Sequence, residues 1–285
     1  MDRLTPEAIL RDLGTTILPG NVQCYDTVGS TMDLAREWLS THTEERGPLL
    51  ITAEVQTSGR GRLGRRWEAP IGTALLTSLA LRPSWLAPER GVTLVWMVAV
   101  ALCEAIEATT TLQVALKWPN DVLLPVGASA PPAPDDDGGE PRVQPPGWAK
   151  TAGILLEVGL GKQGLNWAII GCGVNVSAAP PPEVSRYPAT SITAAAGAPV
   201  ARLELLRAFL RRLDYWYSRL STGDEAALFV AWRTRLLTLG QEVRVETPDG
   251  LVTGHAEDVD ETGALIVRDD AGNLHVIATG DVGLT

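Results

Sequence analysis

The strongest constraint in this chain is a pair of strand-like runs, KTAGILLEVGL at 150–160 and NWAIIGCGVNV at 166–176, joined by the short turn GKQG at 161–164. Apolar, β-branched runs bounded by glycine read as strands, and so short a connection leaves only an antiparallel hairpin. If the turn is centred between Lys162 and Gln163, residues equally far from that centre face each other, and Lys150 lies opposite Asn175 at the open end. A β-bulge would slide this register by one residue.

The rest of the chain supplies further strands and helices around that pair. LLITAEVQT (49–57) and TALLTSLAL (73–81) read as strands connected by QTSGRGRLGRRW, residues 56–67 counted from Gln56. VGSTMDLAREWL predicts a helix with Ser30 or Thr31 as its N-cap and Asp33 in the first turn. In VALKWPNDVLLP (114–125), Pro119 and Asn120 impose a turn between apolar runs. TLVWMVAVALCEAIEA, from Thr93, reads as a buried helix, interrupted by Glu104 and Glu107 before it reaches the roughly 18 apolar residues of a membrane span. ARLELLRAFLRRLDYWYSRL (201–220) has the spacing of an amphipathic helix, and EAALFVAWRTRLL (225–237) continues helical. From Gly240 the texture changes to short alternating runs punctuated by PDG, ETG and DAGN, which predicts a small antiparallel β unit, a barrel. Residues 125–148, dense in Pro, Gly and Asp, have almost nothing to bury and read as a loosely ordered insertion, with Asp135 to Asp137 solvated.

Charge makes one of these segments stand out. The chain has 24 Lys and Arg against 34 Asp and Glu, a net charge of −10, which argues against general nucleic-acid binding. Yet Arg60, Arg62, Arg65 and Arg66 crowd one glycine-rich connection. The N-terminus MDRLTPEAIL lacks the pattern of a signal peptide. The three cysteines, Cys24, Cys103 and Cys172, have no paired spacing, so free thiols in a cytoplasmic protein are expected. His42, His255 and His275 are scattered and give no metal-ligand spacing.

Glycines let backbone N–H groups approach an anion closely, and guanidinium forks grip phosphate or carboxylate. One charge pair about 4 Å apart is worth about 4 kcal/mol at an effective dielectric of about 20, before desolvation. The same loop would also be explained by pairing with surface acids. KWPND (117–121) aims Asn120 and Asp121 from one turn, which an ordinary capped turn would do too. Lys150, ahead of GILLEV, could be a solvated strand-end lysine.

Taken together, GSTM (29–32), AEVQTSGRGRLGRRW (53–67), KWPNDV (117–122), KTAGILLEV (150–158), GCGVNV (171–176) and the terminal GDVGL resemble the biotin protein ligase family, in that family's order, from about residue 20 onward. The resemblance implies an α/β fold: a mixed sheet with helices, the class II synthetase-like biotin/lipoate ligase catalytic domain, over 1–236, then an SH3-like small β-barrel over 237–285. It implies a two-step ligation, in which biotin and ATP with Mg²⁺ give biotinoyl-AMP, and a lysine of a biotin carboxyl carrier domain takes the acyl group. On the residues of this chain it implies biotin contacts from Ser30, Thr31, Gln56, Gly59, Arg60, Arg62, Lys150 and Gly153. Arg65, Trp67, Asn120, Lys150 and Asn175 fall on the nucleotide side, with Lys150, Arg62 and Asp121 catalytic. No protein-bound metal site is expected. Met32 departs from the family, which has Asn after Ser-Thr, and the insertion at 125–148 lengthens a short turn.

Two other readings compete. A lipoate or octanoate ligase would share the fold, but the full GRGRLGRRW stretch and the C-terminal β unit fit biotin ligases better. Some relatives bind DNA through an N-terminal helix-turn-helix; only 28 residues precede Gly29, so the form lacking that domain is expected, without nucleic-acid or membrane partners. Monomer and homodimer are both compatible with the sequence.

Overall fold

The computed structural model describes residues 3–43, 47–127, 147–162, 164–181, 185 and 187–284. In chain order the elements are α1 (Pro6–Leu10), β1 (Asn21–Val28), α2 (Thr31–Thr41), β2 (Leu49–Gln56), β3 (Ala74–Leu81), α3 (Thr93–Thr109), β4 (Ala115–Lys117), β5 (Asp121–Pro125), β6 (Trp148–Leu160), β7 (Leu165–Asn175), α4 (Ile192–Ala196), α5 (Arg202–Ser221) and α6 (Glu225–Arg233). Five strands close the chain: β8 (Glu242–Thr247), β9 (Gly250–Val259), β10 (Leu265–Arg268), β11 (Leu274–Ile277) and β12 (Asp281–Leu284). The expected insertion joins β5 to β6; apart from its ends it lies outside the described residues, as do Asp135 to Asp137.

The first seven strands form one mixed sheet in the order β1-β2-β3-β7-β6-β5-β4, with β1 and β2 parallel and the other neighbours antiparallel. Helices cover both faces, so the central strands are apolar at nearly every position rather than alternating. Leu49, Ile51, Ala80 and Ile169 pack beneath Met32, Trp38 and Leu39 of α2. Their neighbours Leu50, Leu79, Leu81 and Ile170 belong to the core around α3 and α5. Successive side chains of one strand thus feed opposite layers.

The stretch Pro88–Thr109 is long and apolar enough to cross a membrane by length and composition, but 78% of its most apolar window is buried inside the protein. It is a core helix, and the acids near its C-terminal end are paired within the fold: Glu104 accepts from Arg212 (2.6 Å) and Trp216 (2.8 Å), and Glu107 from Arg235 (2.8 Å). Trp96 stacks on Trp232 with ring centroids 4.7 Å apart, locking α3 to α6.

The central hairpin forms, with one correction. A bulge at Gly159/Leu160, beside the turn, shifts the register so that Ala152 faces Val174 and Gly153 faces Gly173. Thr151 rather than Lys150 therefore comes level with Asn175, and its hydroxyl donates to the Asn175 carbonyl at 3.2 Å. Lys150 instead bridges to Ala189.

The last five strands make an antiparallel sheet in the order β11-β10-β9-β8-β12. The turns signalled by ETG and DAGN place Gly263 and Gly272 at φ of +82° and +86°, a region where a side chain is strained. This unit is fastened beside β4: Leu116 donates to Arg235 and Leu237 donates back to Leu116, both at 2.8 Å, and the Trp118 indole donates to Gly263 at 2.9 Å. The consequence is that β12 ends next to the KWPND turn.

Candidate active site

The arginine run is a small hairpin rather than an open coil. Arg60 bridges to Arg66, Gly61 donates to Arg65 (2.7 Å) and Trp67 donates to Gly59 (3.0 Å), around a tight turn at Arg62–Gly64. Gly59 is required there, because a Cβ would lie 2.2 Å from the Trp67 carbonyl oxygen. The four arginines divide into two kinds. Arg60 donates to Asp33 (2.7 Å) and Arg66 pairs with Glu68 (3.3 Å), the surface-acid pairing that the sequence left open. Arg62 and Arg65 turn inward: Arg62 donates to Asn120 Oδ1 (3.1 Å) and Thr279 Oγ1 (3.4 Å), and Arg65 pairs with Asp281. Burial pulls the Arg62 guanidinium below its usual pKa, with the Asp121 and Asp281 charges pulling back. Burial acts likewise on Arg65, but the hydrogen bond and charge of Asp281 hold its pKa above the usual value.

Under this hairpin lies a floor made by missing side chains. Gly153 of β6 and Gly173 of β7 are paired neighbours, and the Trp67 indole lies over both: a Cβ on Gly173 would come 2.5 Å from the ring, and one on Gly153 would come 3.2 Å from it. Two residues along β7, Gly171 leaves room for Met32, whose sulfur would be 2.7 Å from an added Cβ. Glycines at i and i+2 of a strand bare one face, and the result is a cleft of about 450 Å³, open to solvent. Its polar wall starts at the N-terminus of α2. Ser30 caps the helix through Met32 N–H (3.3 Å), and Gln56 Oε1 accepts from the Thr31 N–H (2.8 Å) and hydroxyl (3.0 Å).

At the edge of the cleft Lys150 Nζ sits 2.6 Å from Asp121 Oδ1, and 5.8 Å from the centre of the Trp67 ring. Asn120 faces the cleft and donates to the Ile154 carbonyl at 2.6 Å. The KWPND turn thus presents Asn120 to Arg62 and Asp121 to Lys150. Behind Asp121 is Lys117, whose ammonium lies 3.8 Å from Asp121 Oδ2; burial pushes its pKa down to about 8.

Of the residues expected from sequence, Ser30, Thr31, Gln56, Arg60, Arg62, Trp67, Asn120 and Gly153 line the cleft. Gly59, Arg65, Asp121 and Lys150 stand just behind or beside this lining, each tied to it by the contacts above. Asn175 is buried, and its amide donates to the Thr190 carbonyl (3.3 Å), while Thr190 N–H donates to Lys150 O (2.9 Å). It therefore reaches Lys150 through the 188–190 segment. Sequence reasoning missed Gly171 and Gly173 as floor, Met32 as wall, and the charged Lys117 and Asp281 with Tyr187 as the layer beneath. The alternate glycines of GCG were a readable signal. Nothing local marks Asp281 as a partner of Arg65. His255 pairs with Glu242 and His275 with Asp269, both in the C-terminal sheet and away from the cleft.

Comparison with known proteins places this geometry. Residues 25–175 match the Biotin/lipoate A/B protein ligase family, and residues 238–284 match the Biotin protein ligase C terminal domain. The chain is 32% identical to the Biotin--[acetyl-CoA-carboxylase] ligase of Paracoccus denitrificans over 241 residues, covering 83% of this chain and 90% of that protein. It is 28% identical to the Bifunctional ligase/repressor BirA of Bacillus subtilis over 284 residues, 99% of this chain and 79% of that protein. The solved biotin protein ligase from Aquifex aeolicus in complex with biotin and ATP superposes with a TM-score of 0.71 at 26% identity, covering 93% of this chain and 98% of that one. With both parts of the chain matched and a relative above 30% identity aligned over most of its length, this chain belongs to the biotin/lipoate protein ligase family, among its biotin protein ligases.

Proposed function

We propose that the chain activates biotin with ATP as biotinoyl-5′-AMP and then transfers the acyl group to a lysine of a biotin carboxyl carrier domain, the partner class suggested by the name of the Paracoccus relative. One observation carries the reading: the polar Ser30–Thr31–Gln56 wall, the bare Gly153–Gly173 floor under Trp67, and the cations Arg62 and Lys150 converge on a single cleft. A ureido ring needs donors and acceptors close together, which Thr31 and Gln56 supply. An apolar bicycle and chain need a flat greasy bed, which the glycines and the indole supply.

In the first step an oxygen of the biotin carboxylate bonds to the α-phosphorus of ATP as the bond to pyrophosphate breaks. Negative charge gathers on the phosphoryl oxygens, where Arg62 and Lys150 donate. The Arg62–Gly64 turn, held over the cleft by Asn120 and Thr279, keeps water from the mixed anhydride. In the second step the carrier amine attacks the acyl carbon, the bond to AMP breaks, and Asp121 accepts the proton the amine loses. Arg65 and Asn175 act on the nucleotide side.

Mg²⁺ enters in this reading as part of the MgATP substrate. It favours phosphate oxygens, water and one or two carboxylates. The two carboxylates at the site, Asp121 and Asp281, already hold Lys150 and Arg65. Among the described residues no three His, Cys, Asp or Glu side chains cluster as a cage. The chain is expected to work in the cytoplasm.

Biotin-dependent exchange of pyrophosphate into ATP tests the reading, with lipoate and octanoate assayed in parallel. Exchange with biotin alone supports it; exchange driven by lipoate or octanoate and not by biotin overturns it.

A further inference from the structure

Lys117 is a buried charged group at the site that the reaction as described does not use. It ends β4, is only 2% exposed, and its ammonium lies by the Val282 carbonyl of β12 at 3.2 Å, Asp121 Oδ2 of β5 at 3.8 Å, and the Tyr187 ring, whose centroid is 3.5 Å away. The Tyr187 hydroxyl donates to the same Val282 carbonyl, at 3.2 Å, so ring and ammonium are held against one another. Burying an ammonium costs several kcal/mol after relaxation, and an apolar side chain of similar length would join these strands with less penalty. The position of the charge therefore calls for a reason other than packing.

Asp121 supplies it. Its two carboxylate oxygens are divided between two lysines, Oδ1 with Lys150 and Oδ2 with Lys117. Lys150 is the lysine that must turn toward the phosphoryl group during adenylate formation. The charges of Arg62 and Arg65 also act on Asp121, but its ion-pair contacts are with the two lysines; without Lys117 it would hold Lys150 back, or would lie 7% exposed with no ion pair once Lys150 moved. Resting on the ligase reading above, we propose that Lys117 is a positioning residue for adenylate formation: it stays behind as the fixed counter-ion of Asp121, so that Lys150 is free to engage the phosphoryl group.

The charges facing Lys117 come from every element packed against it: Asp121 on β5, Lys150 on β6, Asp281 on β12 and Arg65 on the arginine hairpin, with Tyr187 closing the fourth side. From Arg65 through Asp281, Lys117 and Asp121 to Lys150 the signs alternate, and Lys117 is the middle member. Burial opposes its charged form, and with a pKa pushed down to about 8 it loses its proton in a range where an ordinary lysine keeps it. Protonated Lys117 is the useful form, so activity is full below that value and falls as pH rises through it.

The test uses the full chain and two readouts, biotin binding by calorimetry without ATP, and biotin-dependent ATP–pyrophosphate exchange from pH 6.5 to 9.5. For wild type, kcat of exchange is expected to fall along an alkaline limb centred near pH 8. Lys117→Met should keep biotin affinity within about twofold, lower kcat on the order of 100-fold, the loss typical of a misplaced catalytic group, and abolish that limb. Lys117→Arg, whose charge does not titrate in this range, should retain more activity than the methionine variant and also lack the limb. A Lys117→Met protein that exchanges at the wild-type rate, or keeps the limb, overturns the proposal while leaving the ligase reading intact. If the methionine variant does not fold, a wild-type or Tyr187→Phe profile flat through pH 9.5 overturns it instead. Absence of exchange in wild type would overturn the ligase reading and this inference together.

Discussion

Replacing Gly173 by alanine would put a methyl group 2.5 Å from Cε2 and 2.7 Å from Nε1 of Trp67. Carbon atoms rest comfortably about 3.5–4.0 Å apart, so the indole must rise by about 1 Å. Gly173 lies inside the sheet, paired with Gly153 and Leu76, and cannot itself retreat without breaking two ladders. The ring lines the cleft, so rising off the strand carries it into ligand space. Overpacking of this kind costs about 1–3 kcal/mol, and because the strain is relieved by occupying ligand space, it should fall on biotin binding, as a loss of about 5- to 150-fold in affinity. Calorimetric titration with biotin measures this directly, and a thermal melt checks that the fold survives. Gly153→Ala serves as a graded control, since its Cβ would be 3.2 Å from the same ring and should cost less. In a Trp67→Ala background the clash is gone, so Gly173→Ala should add almost nothing there. An unchanged dissociation constant in the single variant, or an equal penalty with and without the indole, would refute the claim that the ring rests on the glycine floor.

Lys150→Ala should lower kcat of biotin-dependent pyrophosphate exchange about 100- to 1,000-fold, the usual effect of removing one donor to developing charge, while circular dichroism stays native because Asp121 keeps Lys117. Arg62→Ala removes the contacts to Asn120 and Thr279 that hold the turn over the cleft; the expected outcome is a higher KM for biotin and adenylate released into solution, read as biotin label on bystander protein amines. For Asp281, burial raises and the Arg65 contact lowers the carboxyl pKa, and the net shift is below the ordinary 3.8. A depressed pKa means its stabilisation is present above that value and is lost as pH falls below it. Asp281→Asn should therefore lower the melting temperature at pH 7 and flatten its decline below pH 4.

The sequence made the local parts of this site readable and left the long-range ones dark, for physical reasons. Ser30 is visible as a helix cap because capping depends on residues two or three positions apart, and the KWPND turn because proline and asparagine act on their own backbone. The hairpin could be paired to within one residue. The slip came from the bulge at Gly159/Leu160, beside a point of close packing where a Cβ on Gly159 would strike the Trp167 indole at 2.2 Å. Strand β1 escaped notice because NVQCYDTV is polar at an edge and gains its place by pairing with β2. Lys117 was seen as part of a motif, but a lysine's burial depends on what covers it. Its cover is Tyr187 and β12, which are 70 and 165 positions away in sequence.

That covering also explains how an acidic chain comes to hold an anion. Among the described residues, the carboxylates acting on Arg62, Arg65, Lys117 and Lys150 at the site are Asp121 and Asp281, which leaves positive charge in surplus where burial lowers the effective dielectric. Elsewhere acids dominate, but surface charges more than about 8 Å away are screened at physiological ionic strength, whereas those within the cleft are not. A phosphate entering the cleft thus responds to the local surplus and little to the net charge of −10. Both aspartates are needed for that balance: without them four cations would repel one another and Arg62 and Lys150 could not be held ready together. The C-terminal sheet contributes one of the two, through β12, and the KWPND turn the other. The charge state of the cleft is therefore a joint property of both sheets, set before any ligand arrives.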